Sequence, residues 1–179
     1  MKRTIYLVLL LLCVFGTGPL LSQGGLIGKT VSSLQLIDPD DNPKAMPFIG
    51  EKVVMVLYTD PDEKDVNDPL SNAVKAKNFP ADKYQAIGIA NCKDTWIPNV
   101  GIRMKARQKQ KEFPTSVVLL DEDKTLPKTW GLGNCNDMGV LIIIGKDRKV
   151  KYISYVKTQE ESRAIIGAVI KILTEEIAK

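Results

Sequence analysis

Five carboxylates follow one apolar segment and are the first candidates for chemistry in this chain. The apolar segment spans residues 53–58, and the acidic side chains after it are Asp60, Asp62, Glu63, Asp65 and Asp68. Carboxylate oxygens are the ligands that Ca²⁺ prefers, which makes Asp60, Asp62 and Asp65 candidates for a cation site. A carboxylate pair could also serve glycoside hydrolysis, although two tryptophans are few for a sugar cleft. Because the spacing lacks the glycine and glutamate of an EF-hand loop, a solvated acidic loop is the competing interpretation.

Cys92 and Cys135 form the second candidate site. They could be a displaced redox pair, a structural disulfide or two unconnected thiols. A reactive thiolate requires a lowered pKa, and no Cys-x-x-Cys spacing lowers the pKa of either thiol. A disulfide would close a loop of about forty residues and stabilise the fold by roughly 3–4 kcal/mol. The structural interpretations are therefore preferred to the catalytic one.

The chain contains no histidine, which removes several classes of enzyme from consideration. Ser-His-Asp catalysis, Cys-His catalysis and histidine-based zinc sites all need an imidazole. The net charge is +4 at pH 7 and falls to about +2 once Lys2 and Arg3 are removed with a leader. This small excess does not predict nucleic acid as a partner. No cofactor is predicted.

The N-terminus is typical of a secretory signal peptide. Lys2 and Arg3 precede an apolar stretch at residues 5–15, and helix-breaking Gly16 and Pro19 follow it. We therefore predict a signal peptide at residues 1–22 and one periplasmic or secreted domain at residues 23–179. The apolar stretch is short for a membrane span of ~20 residues, so no integral span is expected after cleavage, with an uncleaved anchor as the alternative. The expected partner is another exported protein.

The order of apolar and turn-forming segments predicts an α/β domain. The continuous apolar run at residues 53–58 is typical of a strand buried on both faces, as in a parallel or mixed sheet covered by helices. Open α/β sheets place their chemistry beyond the carboxyl ends of such strands. Further strands are predicted at residues 33–37, 84–90, 116–120, 140–144 and 149–156, and helices at residues 69–77, 99–111 and after residue 158. Thr158 and Glu161 form a capping box at the start of the last helix.

This order of elements resembles the thioredoxin fold in the version used by peroxiredoxins and TlpA-like proteins. Residues 53–59 are similar to the strand before the active site, and residues 140–150 are similar to the terminal hairpin. Four short segments are similar to the YtfJ-type periplasmic proteins: Asp82-Lys83-Tyr84-Gln85, Lys111-Glu112-Phe113-Pro114, Lys128-Thr129-Trp130 and Thr158-Gln159-Glu160-Glu161. The resemblance implies a thioredoxin-like three-layer sandwich, with a mixed central sheet flanked by helices and an N-terminal hairpin extension.

The resemblance also implies what the acidic loop replaces. Redox members carry Cys-x-x-Cys just after this strand, and peroxiredoxins carry a cysteine three residues after a threonine, where Asp62 follows Thr59 here. The degenerate active-site loop consists of Thr59, Asp60, Asp62, Glu63 and Asp65. The cis-proline position of the fold falls at Met138 and Gly139, where an ordinary trans peptide is expected. Thiol–disulfide exchange is therefore not expected at this site.

Three functional hypotheses stay open. The first is a redox-silent binding module that uses the loops at residues 60–68, 92–96 and 134–139. Trp96 and Trp130 would be exposed anchors of this surface, with core packing of both as the alternative. The second hypothesis is a thiol–disulfide oxidoreductase that uses Cys92 and Cys135 as a non-standard redox pair. The third is a cation-binding module at the acidic loop. We prefer a binding protein to an enzyme.

Overall fold

The computed structural model describes residues 25–112 and 114–179, so the predicted signal peptide at residues 1–22 lies outside the described residues. Within the described residues, no helix is long and apolar enough to cross a membrane. The strands are β1 (Gln35–Ile37), β2 (Pro43–Ala45), β3 (Val53–Thr59), β4 (Tyr84–Asn91), β5 (Val117–Asp121), β6 (Gly139–Ile144) and β7 (Val150–Val156). The helices are α1 (Asp68–Ala76), α2 (Asn99–Glu112), α3 (Thr125–Trp130), α4 (Gln159–Ala164) and α5 (Ile166–Ile177).

The strands form one mixed sheet in the order β2-β1-β5-β4-β3-β6-β7. Strands β3, β4 and β5 run parallel, whereas β6 is antiparallel to both β3 and β7. Strands β1 and β2 form an antiparallel hairpin that joins the sheet through β5. The predicted mixed sheet and N-terminal hairpin are thereby confirmed. Because parallel strands end at the same edge of a sheet, the segments after β3, β4 and β5 lie side by side.

Strand β3 is buried along most of its length, which explains its unbroken apolar sequence. Met55 packs in a cluster with Leu70 of α1 and Leu173 of α5. The neighbouring Val54 faces the other way and packs in a second cluster, which contains Leu126 of α3 and Val31, a residue that precedes β1. Burying a side chain of this size contributes about 1.5–3 kcal/mol. The two clusters therefore hold the sheet between two outer layers, as the three-layer prediction requires.

Helix α2 lies on the same face of the sheet as α1. Its residues Ile102 and Ala106 pack against Leu120 of β5 and against Cys92, which directly follows β4. Leu119, the neighbour of Leu120 in β5, belongs to the cluster on the opposite face. One side of α2 is therefore fixed on the sheet, and its remaining surface faces outward.

Helix α3 was not predicted, because residues 121–124 have the composition of a turn and Pro127 stands inside the helix. A buried carboxylate explains its formation. Asp121 ends β5 with no exposed surface, and its two oxygens accept hydrogen bonds from the backbone N–H groups of Thr125 at 2.7 Å and Leu126 at 2.9 Å. These bonds satisfy N–H groups of the first turn that have no partner within the helix.

The last helical region begins as predicted but does not form a single helix. The Thr158 hydroxyl accepts a hydrogen bond from the N–H of Glu161 at 3.2 Å. The Glu161 carboxylate accepts a hydrogen bond from the N–H of Lys157 at 2.6 Å, one residue before the predicted donor Thr158, so the predicted cap by Thr158 is present and the return bond is shifted by one residue. The helix divides at Ile165 into α4 and α5.

We predict that Asp121→Asn lowers the free energy of unfolding by about 1–3 kcal/mol, because an amide group turned toward two N–H donors cannot accept from both. Urea unfolding followed by far-ultraviolet circular dichroism measures the change. Asp123→Asn is the matched control, since the Asp123 side chain is exposed two residues further on. Equal losses in the two variants would show that Asp121 does not cap α3.

Candidate functional site

Asp60 lies at the junction between β3 and the acidic loop and is fully buried. One of its carboxylate oxygens accepts a hydrogen bond from the N–H of Asp62 at 3.0 Å, which caps the short 3₁₀ turn at Pro61–Glu63. The other accepts from the N–H of Asp137 at 3.0 Å, in the loop before β6. The N–H of Asp60 in turn donates to the carbonyl of Met138 at 3.1 Å. The solvated-loop interpretation therefore does not hold at Asp60, which joins two segments of the chain.

The other predicted carboxylates of the loop lie nearer the surface. Asp62, Glu63 and Asp65 line a shallow cavity of about 190 Å³ together with Lys157 and Gln159. Across the described ranges, no three side chains of the metal-ligating types converge. The structure thus separates the buried Asp60 from the carboxylates nearer the surface and does not bring Asp60, Asp62 and Asp65 together as a ligand set.

Asn67 fills the space between the start of α1 and the first residue of β6. Its side chain makes no capping hydrogen bond with α1 and is buried instead, with Nδ2 donating to the Thr59 hydroxyl at 2.9 Å. Gly139 pairs with Thr59 across the β3–β6 ladder. A Cβ atom on Gly139 would collide with Asn67 Nδ2 and would lie 2.9 Å from a methyl carbon of Val66. The Asn67 amide and the Val66 methyl group therefore leave too little room for a side chain at position 139.

The predicted cis-proline position consequently has a different structure in this protein. The described residues contain no cis peptide bond, so the bonds at Met138 and Gly139 are trans. Met138 is nearly buried, and Gly139 already belongs to β6. The Asn67 side chain therefore fills the space beside this position, where β6 begins.

Cys92 and Cys135 are free thiols that lie on opposite faces of the sheet. Cys92 packs with Ile102 and Ala106 of α2, whereas Cys135 packs in the cluster that contains Leu126 of α3. The structure therefore does not join them in the disulfide that was one of the predicted alternatives. Burial raises the pKa of the Cys92 thiol to about 12 and that of the Cys135 thiol to about 11, from an ordinary value of 9.0.

Sequence analysis missed a group of buried polar side chains on the same face as Cys135. Asn91 ends β4 with no exposed surface, beside Asp121 in the sheet register. Its amide nitrogen donates to the Asp94 carboxylate at 2.8 Å, and Asp94 forms an ion pair with Lys124. Burial, together with the negative charge of Asp121, raises the pKa of Tyr58. The signal that could have found this group is the polar residue directly after each predicted strand.

The two tryptophans have opposite environments. Trp96 is 83% exposed, in the loop between β4 and α2, which agrees with the expectation of an exposed anchor. Trp130 is buried in the same cluster as Leu126 and Cys135, so its prediction as an exposed anchor is wrong. Trp130 is the last residue of α3, the helix that the sequence did not reveal.

The fold is that of a thioredoxin-like protein. The pneumococcal exposed lipoprotein thioredoxin Etrx1 of Streptococcus pneumoniae superposes with a TM-score of 0.56 at 13% identity, over 80% of this chain and 99% of that one. A thiol peroxidase of Chromobacterium violaceum superposes with a TM-score of 0.58 at 17% identity, over 83% of this chain and 86% of that one. At this level of identity the likeness concerns the fold alone.

Similarity in sequence identifies a family within this fold. The chain belongs to the family described as "Bacterial protein of unknown function (YtfJ_HI0045)", whose model matches residues 48–176. An uncharacterized protein of Haemophilus influenzae is 30% identical over 114 residues, which cover 63% of this chain and 60% of that protein. The match thus spans less than two thirds of that relative's length. Membership of the YtfJ-type family, inferred above from short segments, is confirmed.

We predict that Gly139→Ala destabilises the protein by about 1–3 kcal/mol, because the added methyl group overpacks the site against Asn67. Gly167→Ala is the matched control, since a Cβ there meets nothing within 4 Å. Because alanine is the better residue within a helix, this control should be neutral or slightly stabilising. Urea unfolding of each variant gives the values.

The same change tested in an Asn67→Ala background identifies the cause. If the amide sets the requirement for glycine, the cost of Gly139→Ala falls when Asn67 is truncated, and the difference is the coupling energy of the pair. An unchanged cost would place the conflict elsewhere, for example at Val66.

Stability should also decline as the pH rises above about 9. The unfolded thiols lose their protons near pH 9.0, whereas the folded thiols of Cys135 and Cys92 retain them until about pH 11 and about pH 12. The contribution of the two buried thiols to stability is therefore complete below pH 9. Above pH 9, unfolding releases protons and becomes more favourable. Urea unfolding at several pH values from about 8 to 10 measures the decline. A Cys92→Ala/Cys135→Ala variant should show a shallower decline, and one of unchanged steepness would contradict the assignment to the thiols.

Proposed function

We propose that this protein is an exported, redox-silent member of the thioredoxin fold that acts by binding another exported protein. The observation that carries the proposal is the closed junction after β3, where the Asp60 carboxylate is committed to backbone N–H groups. A redox thioredoxin needs an accessible thiolate at the start of the following helix, and a carboxylate cannot replace it. The N-terminal segment, with its basic residues before an apolar stretch, supports export to the periplasm or beyond.

The two buried thiols support the same proposal. Thiol–disulfide exchange begins with attack by a thiolate, and the raised pKa values of Cys92 and Cys135 keep both thiols protonated at neutral pH. Their positions on opposite faces of the sheet also argue against a redox pair. The oxidoreductase hypothesis therefore has less support than binding.

The binding role is supported by the loops at the carboxyl edge of the parallel strands. These loops are residues 60–68, 92–96 and 134–139, and they include the exposed Trp96. Tryptophan is among the residues that contribute most to protein interfaces when a partner covers it. Open α/β sheets bind their ligands at this edge.

Turnover assays test the redox-silent part of the proposal. We expect residues 23–179 to show no insulin reduction and no peroxide consumption above background, under conditions where an active thioredoxin and an active thiol peroxidase give a clear signal. Cys92→Ser and Cys135→Ser should behave like the unchanged protein. Robust turnover that is lost in Cys92→Ser would overturn the proposal and favour the oxidoreductase.

A thiol count gives an independent result. Unfolded residues 23–179 should titrate the same two thiols with and without prior reduction, because neither cysteine is bonded in the fold. In the native protein both thiols should react much more slowly than in urea. A pair that titrates only after reduction would contradict this expectation.

A further inference from the structure

We propose that the end of the domain where the parallel strands begin, the amino edge, docks onto a membrane surface that contains anionic lipids. The contact residues, which we call the basic patch, are Lys29, Lys146, Arg148 and Lys149. The inference goes beyond the proposed function, because the amino edge lies opposite the loops that are proposed to bind a protein and does not depend on them.

Two adjacent backbone segments carry the basic patch. Three of its residues lie in the turn between β6 and β7, and Lys29 lies on the segment that runs beside this turn. The carbonyl of Lys29 accepts a hydrogen bond from the N–H of Val150 at 3.0 Å, and the N–H of Val31 donates to the carbonyl of Arg148 at 2.9 Å. All four residues of the basic patch are exposed. The fold therefore brings Lys29 beside three cations that are far from it in sequence.

The sheet register places this turn at the amino edge. Ile144, the last residue of β6, pairs with Val54 near the start of β3, whereas Gly139 pairs with Thr59 at its end. The turn is therefore separated from the acidic loop by the length of β3, which is about 20 Å for seven residues. A membrane that covers the basic patch thus leaves the loops after β3, β4 and β5 accessible to a partner.

The acidic side chains that contact this turn are already paired. Asp147 and Glu176 both form ion pairs with Lys151, at 2.8 Å and 3.5 Å, and Glu176 also pairs with Lys179. Among the described residues, no ion pair involves a residue of the basic patch. These two carboxylates are therefore balanced by two other lysines, and they do not neutralise the basic patch.

Positive charge dominates the whole amino edge. Arg148 lies against Gly50, and the neighbouring Glu51 and Lys52 add one charge of each sign. With these two included, the segments at this edge contain ten basic and five acidic residues; they are residues 28–31, 50–52, 75–83, 145–151 and 175–179. The segments at the carboxyl edge contain twelve acidic and six basic residues; they are residues 60–68, 91–96, 121–128, 134–139 and 157–163. The small net charge thus conceals two ends of opposite sign, and an anionic surface attracts the amino edge and repels the other.

The chain enters the domain at the basic patch, which favours a membrane as the occupant. The described chain begins at Gly25, and the N–H of Gly28 donates to the carbonyl of Val150 at 2.8 Å. The apolar stretch at residues 5–15 ends ten positions before Gly25, a distance of at most about 35 Å for an extended chain. Until the predicted signal peptide is cleaved, its insertion in a membrane therefore keeps the basic patch close to the lipid headgroups.

A membrane also fits the composition of the basic patch better than an acidic protein does. Protein interfaces bury an apolar centre inside a polar rim. Of the four large apolar side chains that are strongly exposed in the described part of the chain, only Ile27 lies on a segment that carries the basic patch. Lysine and arginine side chains can follow a layer of lipid headgroups that has no fixed geometry, and the Ile27 side chain can enter this layer beside them.

Vesicle binding tests the proposal on residues 23–179, which contain every described residue and therefore both sides of the core. The probes are vesicles of phosphatidylglycerol mixed with phosphatidylcholine, with vesicles of phosphatidylcholine alone as the matched control. Sedimentation measures the bound fraction of the protein against lipid concentration. Acrylamide quenching of Trp96, which is 83% exposed beyond the end of β4, reports the orientation of the bound protein. Ile27→Trp in a Trp96→Phe background gives the same measurement at the amino edge.

We expect half-maximal binding at an anionic lipid concentration on the order of 1 mM in about 50 mM salt, loss of binding at about 300 mM salt, and no binding to phosphatidylcholine alone. Lys146→Gln/Lys149→Gln should weaken binding by about 25-fold, because each cation near an anionic surface contributes about fivefold. Lys105→Gln/Lys128→Gln is the matched control, since it removes the same charge from exposed positions on α2 and α3. This control should leave binding nearly unchanged.

The orientation gives a second expected result. Anionic vesicles should protect the introduced indole of Ile27→Trp from acrylamide and leave Trp96 as accessible as it is in solution. Circular dichroism checks that each variant is folded. Lys29→Gln/Lys146→Gln provides an independent pair with the same expected loss if the turn variant does not fold.

Several results would overturn the assignment. They are no binding at about 10 mM anionic lipid, equal binding to phosphatidylcholine alone, an equal loss in the two double variants of Lys146/Lys149 and Lys105/Lys128, or protection of Trp96 in place of the amino edge. A polyglutamate peptide forms a separate arm. Binding of this peptide that is lost in Lys146→Gln/Lys149→Gln, without binding to vesicles, would assign the basic patch to an acidic protein instead.

Discussion

A carboxylate that is withdrawn from water must be satisfied by hydrogen bonds or by a cation, and Asp60 meets this requirement with two backbone N–H groups. One belongs to the turn after β3 and the other to the loop before β6, so a single side chain fixes the two segments that flank the site. The positions of Asn67 and Gly139 depend on this bridge, because these residues follow the two joined segments directly. A site closed by buried polar bonds is costly to open, since each bond lost would leave an unpaired group behind.

The fold could be predicted from the sequence wherever one pattern decides the structure. The apolar run of β3 and the capping residues of α4 are local signals, and the structure agrees with both. Helix α3 could not be found in this way, because it depends on Asp121, whose burial is a consequence of the sheet around it. Trp130 was wrongly predicted to be exposed for the same reason, because it belongs to α3 and is buried in the core with that helix.

The site was predicted in its position but not in its chemistry. The sequence located the acidic loop at the end of β3, yet the carboxylates of the loop look alike until the fold buries one and leaves the others nearer the surface. Asn67 was recognisable as a residue that begins a helix, but nothing in its neighbours indicates that its amide turns inward to Thr59. The relation between Cys92 and Cys135 is likewise a property of the sheet, because their separation in sequence does not reveal that they lie on opposite faces. Function resides in such sites and not in the fold that carries them, which is why the likeness to redox proteins does not transfer their activity.

The contact between Asn67 and Gly139 also bears on the history open to this chain. Any side chain at position 139 meets the amide, and a smaller residue at position 67 leaves a gap and removes a hydrogen bond to the Thr59 hydroxyl. Neither position can therefore change freely before the other, so the two are epistatic. A lineage with this pair would pass through a destabilised intermediate if either position changed alone. The packing of one amide against one glycine thus couples the sequence changes that positions 67 and 139 of this chain can accept, whatever residues the loop between β3 and α1 carries.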